Sequence, residues 1–173
     1  MKNLIAILSL GLSLFATNFE EIKSNIKTQN ISGNFTQTKI LKGFNNAFKS
    51  YGSFSLNENE LLWQNSKPIS STLIINKDGV FQKNGDDLIK TGQNFDEKLF
   101  LALVRLDENE LKKEFEYKIS SSSKGWYIVL TPKNLLLKQI FTQISLSGDE
   151  FLKRLELDEV SGDKTINEFY DIK

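Results

Sequence analysis

The sequence predicts a mainly β fold with α elements: one antiparallel sheet of about ten strands, curled partly or wholly into a barrel, with an N-terminal helix and a helical insertion at mid-chain. Three observations carry this. Between Gly33 and Gln82, short segments with period-two alternation are separated by Asp-Gly and Asn-rich breaks, the pattern of strands joined by hairpins. Two other stretches place apolar residues at helical spacing. Beyond residue 113 the alternation returns and runs almost to the last residue.

The chain opens with basic Met1-Lys2-Asn3, an apolar run from Leu4 to Phe15, and the small residue Ala16. This is the layout of a secretory signal peptide over residues 1–16, and the run is short for a membrane span. Residues 17–173 then form a single domain, with no internal repeat and no linker. No Cys lies near the expected cleavage point, so the protein is not itself a lipoprotein.

Phe19, Ile22 and Ile26 follow at helical spacing, with Glu20, Glu21, Lys23 and Lys27 between them, predicting a short amphipathic helix. The predicted strands of the first half are Asn34–Leu41, Phe48–Leu56, Leu61–Asn65, Leu73–Asn76 and Val80–Gln82. Residues 84–94 are turn-rich, with a brief strand at Leu88–Lys90. Asn94 and Glu97 form a capping pair for a helix from Phe95 to Leu106. Leu99, Ala102, Leu103 and Leu106 make its stripe, which Phe100 and Val104 widen; Glu108–Lys113 extends or follows it. A helix this apolar needs cover from the sheet, across the mouth or the concave face. The second half supplies strands at Glu114–Ser120, Gly125–Thr131, Lys138–Leu146, Phe151–Leu157 and Lys164–Ile172.

Composition narrows the chemistry. With neither His nor Cys, the Ser-His-Asp and Cys-His arrangements and imidazole or thiolate metal sites are excluded. No Gly-rich phosphate loop is present. Asp86-Asp87 and the group Asp158, Glu159 and Asp163 fall in predicted turns, where acids are ordinarily just solvated. Basic and acidic residues balance at 22 each, which gives no bulk attraction to nucleic acid. The sequence therefore points to no enzyme, no cofactor and no metal. What stands out is 13 Phe, 4 Tyr and 2 Trp on a sheet whose inner face exceeds what one short helix can fill. The surplus either packs shut or encloses an apolar cavity, and a cavity implies a hydrophobic ligand.

Several motifs then fall in register with a known family. Gly33-Asn34-Phe35-Thr36-Gln37-Thr38, Gly52-Ser53-Phe54, Leu61-Leu62-Trp63, Lys67-Pro68, Asp78-Gly79, Val129-Leu130-Thr131-Pro132-Lys133, Leu137-Lys138-Gln139-Ile140 and Gly162-Asp163-Lys164-Thr165 with Phe169 together resemble LolA, the periplasmic carrier of outer-membrane lipoproteins. The resemblance implies an unclosed β-barrel with helices as a lid over a cavity that takes up acyl chains. It implies no catalysis, a monomer in the periplasm, and cargo passed from an inner-membrane ABC-type release complex to an outer-membrane receptor. Leu61 and Trp63 are expected to face that cavity. Its walls are expected to include Phe35, Phe54, Leu56, Leu73, Ile75, Phe115, Tyr117, Ile128 and Leu130. Leu99, Phe100, Leu103 and Val104 are expected on the lid.

One departure stands out. The family usually carries an Arg-Pro pair about six residues before the Trp, whose Arg helps hold the lid closed; here Asn57-Glu58 stands there. The latch is thus absent or different. Relatives lacking that Arg are thought to carry other lipids or lipid-linked products, and a non-transport envelope module is the remaining alternative.

Overall fold

The computed structural model describes residues 19–91 and 97–173. The expected signal peptide, the Asn94 cap and the start of the helix at Phe95 lie outside them. Helix α1 (Phe19–Asn25) precedes six strands: β1 (Ile31–Ile40), β2 (Phe48–Leu56), β3 (Glu60–Lys67), β4 (Ser71–Asn76), β5 (Gly79–Asn84) and β6 (Asp87–Thr91). Two helices follow, α2 (Glu97–Arg105) and α3 (Glu108–Glu114). The chain then forms β7 (Phe115–Ser122), β8 (Gly125–Pro132), α4 (Leu135–Lys138), β9 (Phe141–Gly148), β10 (Leu152–Glu159) and β11 (Lys164–Tyr170).

All eleven strands belong to one antiparallel sheet in the order β6-β5-β4-β3-β2-β1-β11-β10-β9-β8-β7. Every neighbour is a hairpin partner except at the centre, where the first strand meets the last through Phe35↔Phe169 and Gln37↔Asn167. That pairing brings the two chain halves into one curved wall. β6 and β7 are its edges, so the barrel is unclosed, as expected.

The differences from expectation are local. β1 begins at Ile31, three residues before the predicted start, because Gly33 interrupts the alternation while its backbone still pairs with Phe54. The strand expected from Lys138 is instead a helical turn. The Asn134 side chain accepts from Leu136 N and caps α4, and β9 begins only at Phe141.

The inner face of the sheet is the core. Phe35, Leu56, Leu61, Ile128, Leu130, Ile144, Leu146 and Leu155 are all nearly inaccessible. Helices cover the concave side in two places. Phe19 of α1 meets the Tyr117 ring of β7 edge-on at 5.5 Å. α2 packs on β4, and its Phe100 meets Trp63 of β3 edge-on at 6.0 Å.

α2 ends through backbone geometry rather than a breaker residue. Leu106 adopts φ 51° and is fully buried; Leu106 N donates to Leu103 O, and Asp107 N to Ala102 O at 2.9 Å. This is the Schellman pattern, in which a left-handed residue satisfies the last helical carbonyls. A leucine in that conformation costs roughly 1 kcal/mol, and burying its side chain offsets the strain. Asp107 then caps α3 by accepting from Asn109 N and Glu110 N.

Candidate functional site

The site is the space between the inner face of β1–β4 and α2. Alternate residues of neighbouring strands stand opposite one another: Phe54↔Trp63, Leu56↔Leu61, Leu61↔Ile75 and Trp63↔Leu73. Trp63 stacks on Phe35 with ring centroids 3.8 Å apart, and Phe169 meets both Trp63 and Phe54 edge-on. Such ring pairs are worth about 0.5–1.5 kcal/mol beyond their burial and hold the wall rigid.

Against this wall lies an apolar hollow lined by Ile31, Phe54, Leu56, Leu61, Trp63, Val104, Leu152 and Phe169. It offers the centre of a water-sized sphere about 20 Å³. That is room for roughly one water molecule, and an apolar lining keeps so small a space dry. No charged residue contributes to the lining. An acyl chain needs far more volume, so filling this site requires α2 to move.

Five of the residues expected in the site meet at the hollow: Phe54, Leu56, Leu61 and Trp63 from the sheet, and Val104 from α2. Phe35 backs Trp63, while Leu73 and Ile75 continue the wall on β4. On the helix, Leu103 is buried, and Leu99 and Phe100 pack half-buried against the core. Phe115, Tyr117, Ile128 and Leu130 stand on β7 and β8, away from the hollow. Ile31, Leu152 and Phe169 were not foreseen. Phe169 was signalled by its place in the closing motif, whereas Ile31 and Leu152 gain their position only from the β1–β11–β10 pairing.

Tyr117 has a polar task. Its hydroxyl donates to Glu108 Oε1 at 2.9 Å, and Lys112 Nζ lies 2.6 Å from the same oxygen. Burial pushes the Glu108 carboxyl up, but Lys112 and Tyr117 together outweigh it and hold the group below its usual range. A depressed carboxylate contributes stability above its unfolded value, about 4.5, and loses it as pH falls through the lower folded value. Tyr117→Phe removes one donor and is expected to bring the folded Glu108 value back toward 4.5. Urea midpoints across the acid range check this: the variant should have less stability to lose below about pH 4.5, so the gap between parent and variant should close as pH falls.

α2 is fastened to the sheet at its C-terminal end by Arg105, its last residue. Its Nη2 donates to Asn57 O at 2.9 Å and Glu58 O at 3.1 Å, in the turn between β2 and β3. These are the two positions where the Arg-Pro pair is missing. The guanidinium therefore comes from the helix and the acceptors from the sheet. Arg105 Nε is buried without a hydrogen-bond partner, and burial lowers the pKa of the group against the pull of Asp107.

Three of the acids singled out in the sequence are engaged elsewhere. Asp158 and Glu159 pair with Lys164 and Lys39, and Asp163 Oδ1 accepts from Lys42 N. No group of three or more His, Cys, Asp or Glu among the described residues is arranged to hold a metal ion.

Among solved structures, a LolA superfamily protein of Nitrosomonas europaea aligns at a TM-score of 0.51 with 8% identity, covering 90% of both chains. The MucA/MucB complex of Pseudomonas aeruginosa aligns at 0.49 with 10% identity, over 88% of this chain and 54% of that one. No curated protein sequence matches the chain. The first likeness is one of fold. The model of the family described as outer membrane lipoprotein carrier protein LolA matches residues 26–173, which takes in all eleven strands and the hollow under α2, and the chain belongs to that family.

Proposed function

We propose that the protein is a periplasmic carrier that shields the acyl chains of lipoproteins beneath α2 and ferries them from the inner to the outer membrane. An ABC-type release complex would load it and an outer-membrane receptor would unload it. Removal of residues 1–16 as a signal peptide would place residues 17–173 in the periplasm. The observation that carries the reading is the apolar hollow, lined by no charged residue among those described and closed by α2.

Each CH₂ left in water costs about 0.8 kcal/mol, so long acyl chains do not cross an aqueous gap unshielded. A carrier must also release its load. Non-directional apolar contacts can be exchanged for those of a partner without breaking a fixed ion pair. Closing α2 over the wall hides from water the same surface that cargo would occupy, so cargo binding and lid closure compete.

The test is lipid analysis of the protein purified from its own envelope, with titration of an acyl-chain fluorophore alongside. Acylated peptides should copurify and the fluorophore should bind; absence of both would overturn the reading. Lipid without acylated peptide would point to a non-lipoprotein cargo. Val104→Leu adds one CH₂ toward the hollow. It is expected to stabilise the closed state by about 0.8 kcal/mol and so weaken fluorophore binding about fourfold.

A further inference from the structure

The side chains that the fold leaves uncovered are sorted by rim. The turns β1–β2, β3–β4, β5–β6 and β10–β11, with α4 between β8 and β9, lie at one end of the sheet. The turns β2–β3, β4–β5, β7–β8 and β9–β10 lie at the other. Apart from Leu88 and Ile89 on the edge strand β6, every exposed Leu, Ile, Val and Phe among the described residues lies at the first end. Phe44 is 64% exposed, Ile69 77%, Leu135 76% and Leu136 70%, with Phe48 and Ile140 beside them.

The segments that carry these tips, residues 40–49, 66–70 and 133–140, also carry Lys42, Lys49, Lys67, Lys133 and Lys138 and not one Asp or Glu. All five lysines are exposed, and none enters an ion pair among the described residues. The loops are neighbours in space. Ser66 Oγ donates to Tyr51 O, Lys42 N to Asp163 Oδ1, and Val160 N to Ile140 O. Of the acids at this end, Glu159 is paired with Lys39 and Asp158 with Lys164, Asp163 is held by the Lys42 amide and Glu114 accepts from Asn134 Nδ2, while Asp86 and Asp87 stand at the far edge. The turns of the opposite rim bear Glu58, Asp78, Asp149 and Glu150 together with Lys77 and Lys124, and among the described residues no exposed Leu, Ile, Val or Phe; Glu150 and Asp149 pair with Lys27 and Lys153.

Single exposed apolar side chains are ordinary; their collection on one rim among unpaired lysines is not. We infer that this rim docks on an anionic bilayer surface, with Phe44, Ile69 and the Leu135-Leu136 pair in the interfacial layer and the lysines over the headgroups. Charge complementarity selects the occupant. Separate tips interleaved with cations suit a fluid, negatively charged plane that adapts to each tip, whereas a folded partner would need a continuous groove. The opposite rim offers this plane neither apolar tips nor an excess of lysines, and that asymmetry sets the orientation. The inference does not require that the hollow carry lipid.

The chain has no Cys, so one dye can be placed at will. The full chain carrying Asn45→Cys in the β1–β2 loop, labelled with an environment-sensitive fluorophore, is mixed with phosphatidylglycerol–phosphatidylethanolamine vesicles or with phosphatidylcholine vesicles. Ser123→Cys in the β7–β8 turn is the control. The dye at position 45 should brighten with the anionic vesicles alone and lose the response in high salt, while the dye at 123 stays unchanged. At roughly fivefold per lysine, combining Lys49→Glu, Lys67→Glu and Lys138→Glu is expected to weaken the response on the order of 100-fold. The pair Ile69→Ser and Leu136→Ser should weaken it without removing its salt dependence. Equal responses at both positions, no response at 45, or a response that follows protein concentration without vesicles would each overturn the inference, the last by showing that the rim meets another protein molecule.

Discussion

Arg105→Met is expected to raise the affinity for an acyl-chain fluorophore about tenfold, with a small loss of thermal stability. Methionine keeps an unbranched apolar stem at the end of α2 and removes the guanidinium. Two hydrogen bonds from one charged nitrogen, Nη2, are lost, those to Asn57 O and Glu58 O; shared by a single atom, they are together worth roughly 3–4 kcal/mol. Against that stands Arg105 Nε, buried with no acceptor, whose removal returns about 1–3 kcal/mol. The difference, on the order of 1–2 kcal/mol, falls on the closed state alone, because the latch exists only while α2 lies against the β2–β3 turn.

When the binding-competent state is sparsely populated, apparent affinity scales with its population, so 1.4 kcal/mol appears as a factor of ten. Arg105→Lys should fall between parent and Met variant, since the ammonium keeps the charge but stands on a shorter stem that does not place a donor where Nη2 lies. Fluorophore titration of the three proteins decides the matter. Identical affinities would mean that apolar packing alone holds α2, through Val104 and the Trp63–Phe100 contact.

This latch shows where the sequence speaks and where it does not. Strands were legible because period-two alternation and Asp-Gly turns report local geometry. The apolar stripe of α2 was legible for the same reason. The departure at Asn57-Glu58 was also visible, but its replacement was not. Arg105 lies 47 residues from Glu58 and reaches backbone carbonyls, which carry no residue identity to search for. Phe169 had its own motif, whereas Ile31 and Leu152 join the hollow through the pairing of the first strand with the last, a long-range register that no local pattern encodes. The aromatic surplus left open whether the interior packs shut or encloses a cavity. What forms is a hollow of about 20 Å³, because Trp63, Phe35, Phe54 and Phe169 pack on one another and α2 settles onto them.

Gly52→Ala is expected to be the most damaging small substitution in the wall, lowering stability by about 3 kcal/mol. Gly52 sits on β2 opposite Phe35 on one side and Asn65 on the other. A Cβ at this position would lie 2.0 Å from Gln64 O and 2.6 Å from Phe35 Cζ. The first contact is with backbone, so β2 and β3 would have to part at the register shift beside Tyr51. The second is with the ring that stacks on Trp63, so relief there would tilt Phe35 and carry Trp63 toward the hollow. Neither movement is cheap in an interior packed to native density.

The effect should reach beyond stability. A displaced Trp63 would occupy the space between Leu61 and Val104, so the folded fraction of the variant should also bind acyl fluorophore poorly. Urea unfolding followed by Trp fluorescence measures the first effect, and fluorophore titration at low temperature, where the variant remains folded, measures the second. Ser53→Ala, one residue along and facing the outer side, should leave both nearly unchanged, since its hydroxyl makes only a long 3.4 Å contact to Gln64 Oε1. Were Gly52→Ala to fold with parental stability, the close approach of β2 to Phe35 would be wrong, and with it the rigid aromatic wall on which the lid closes.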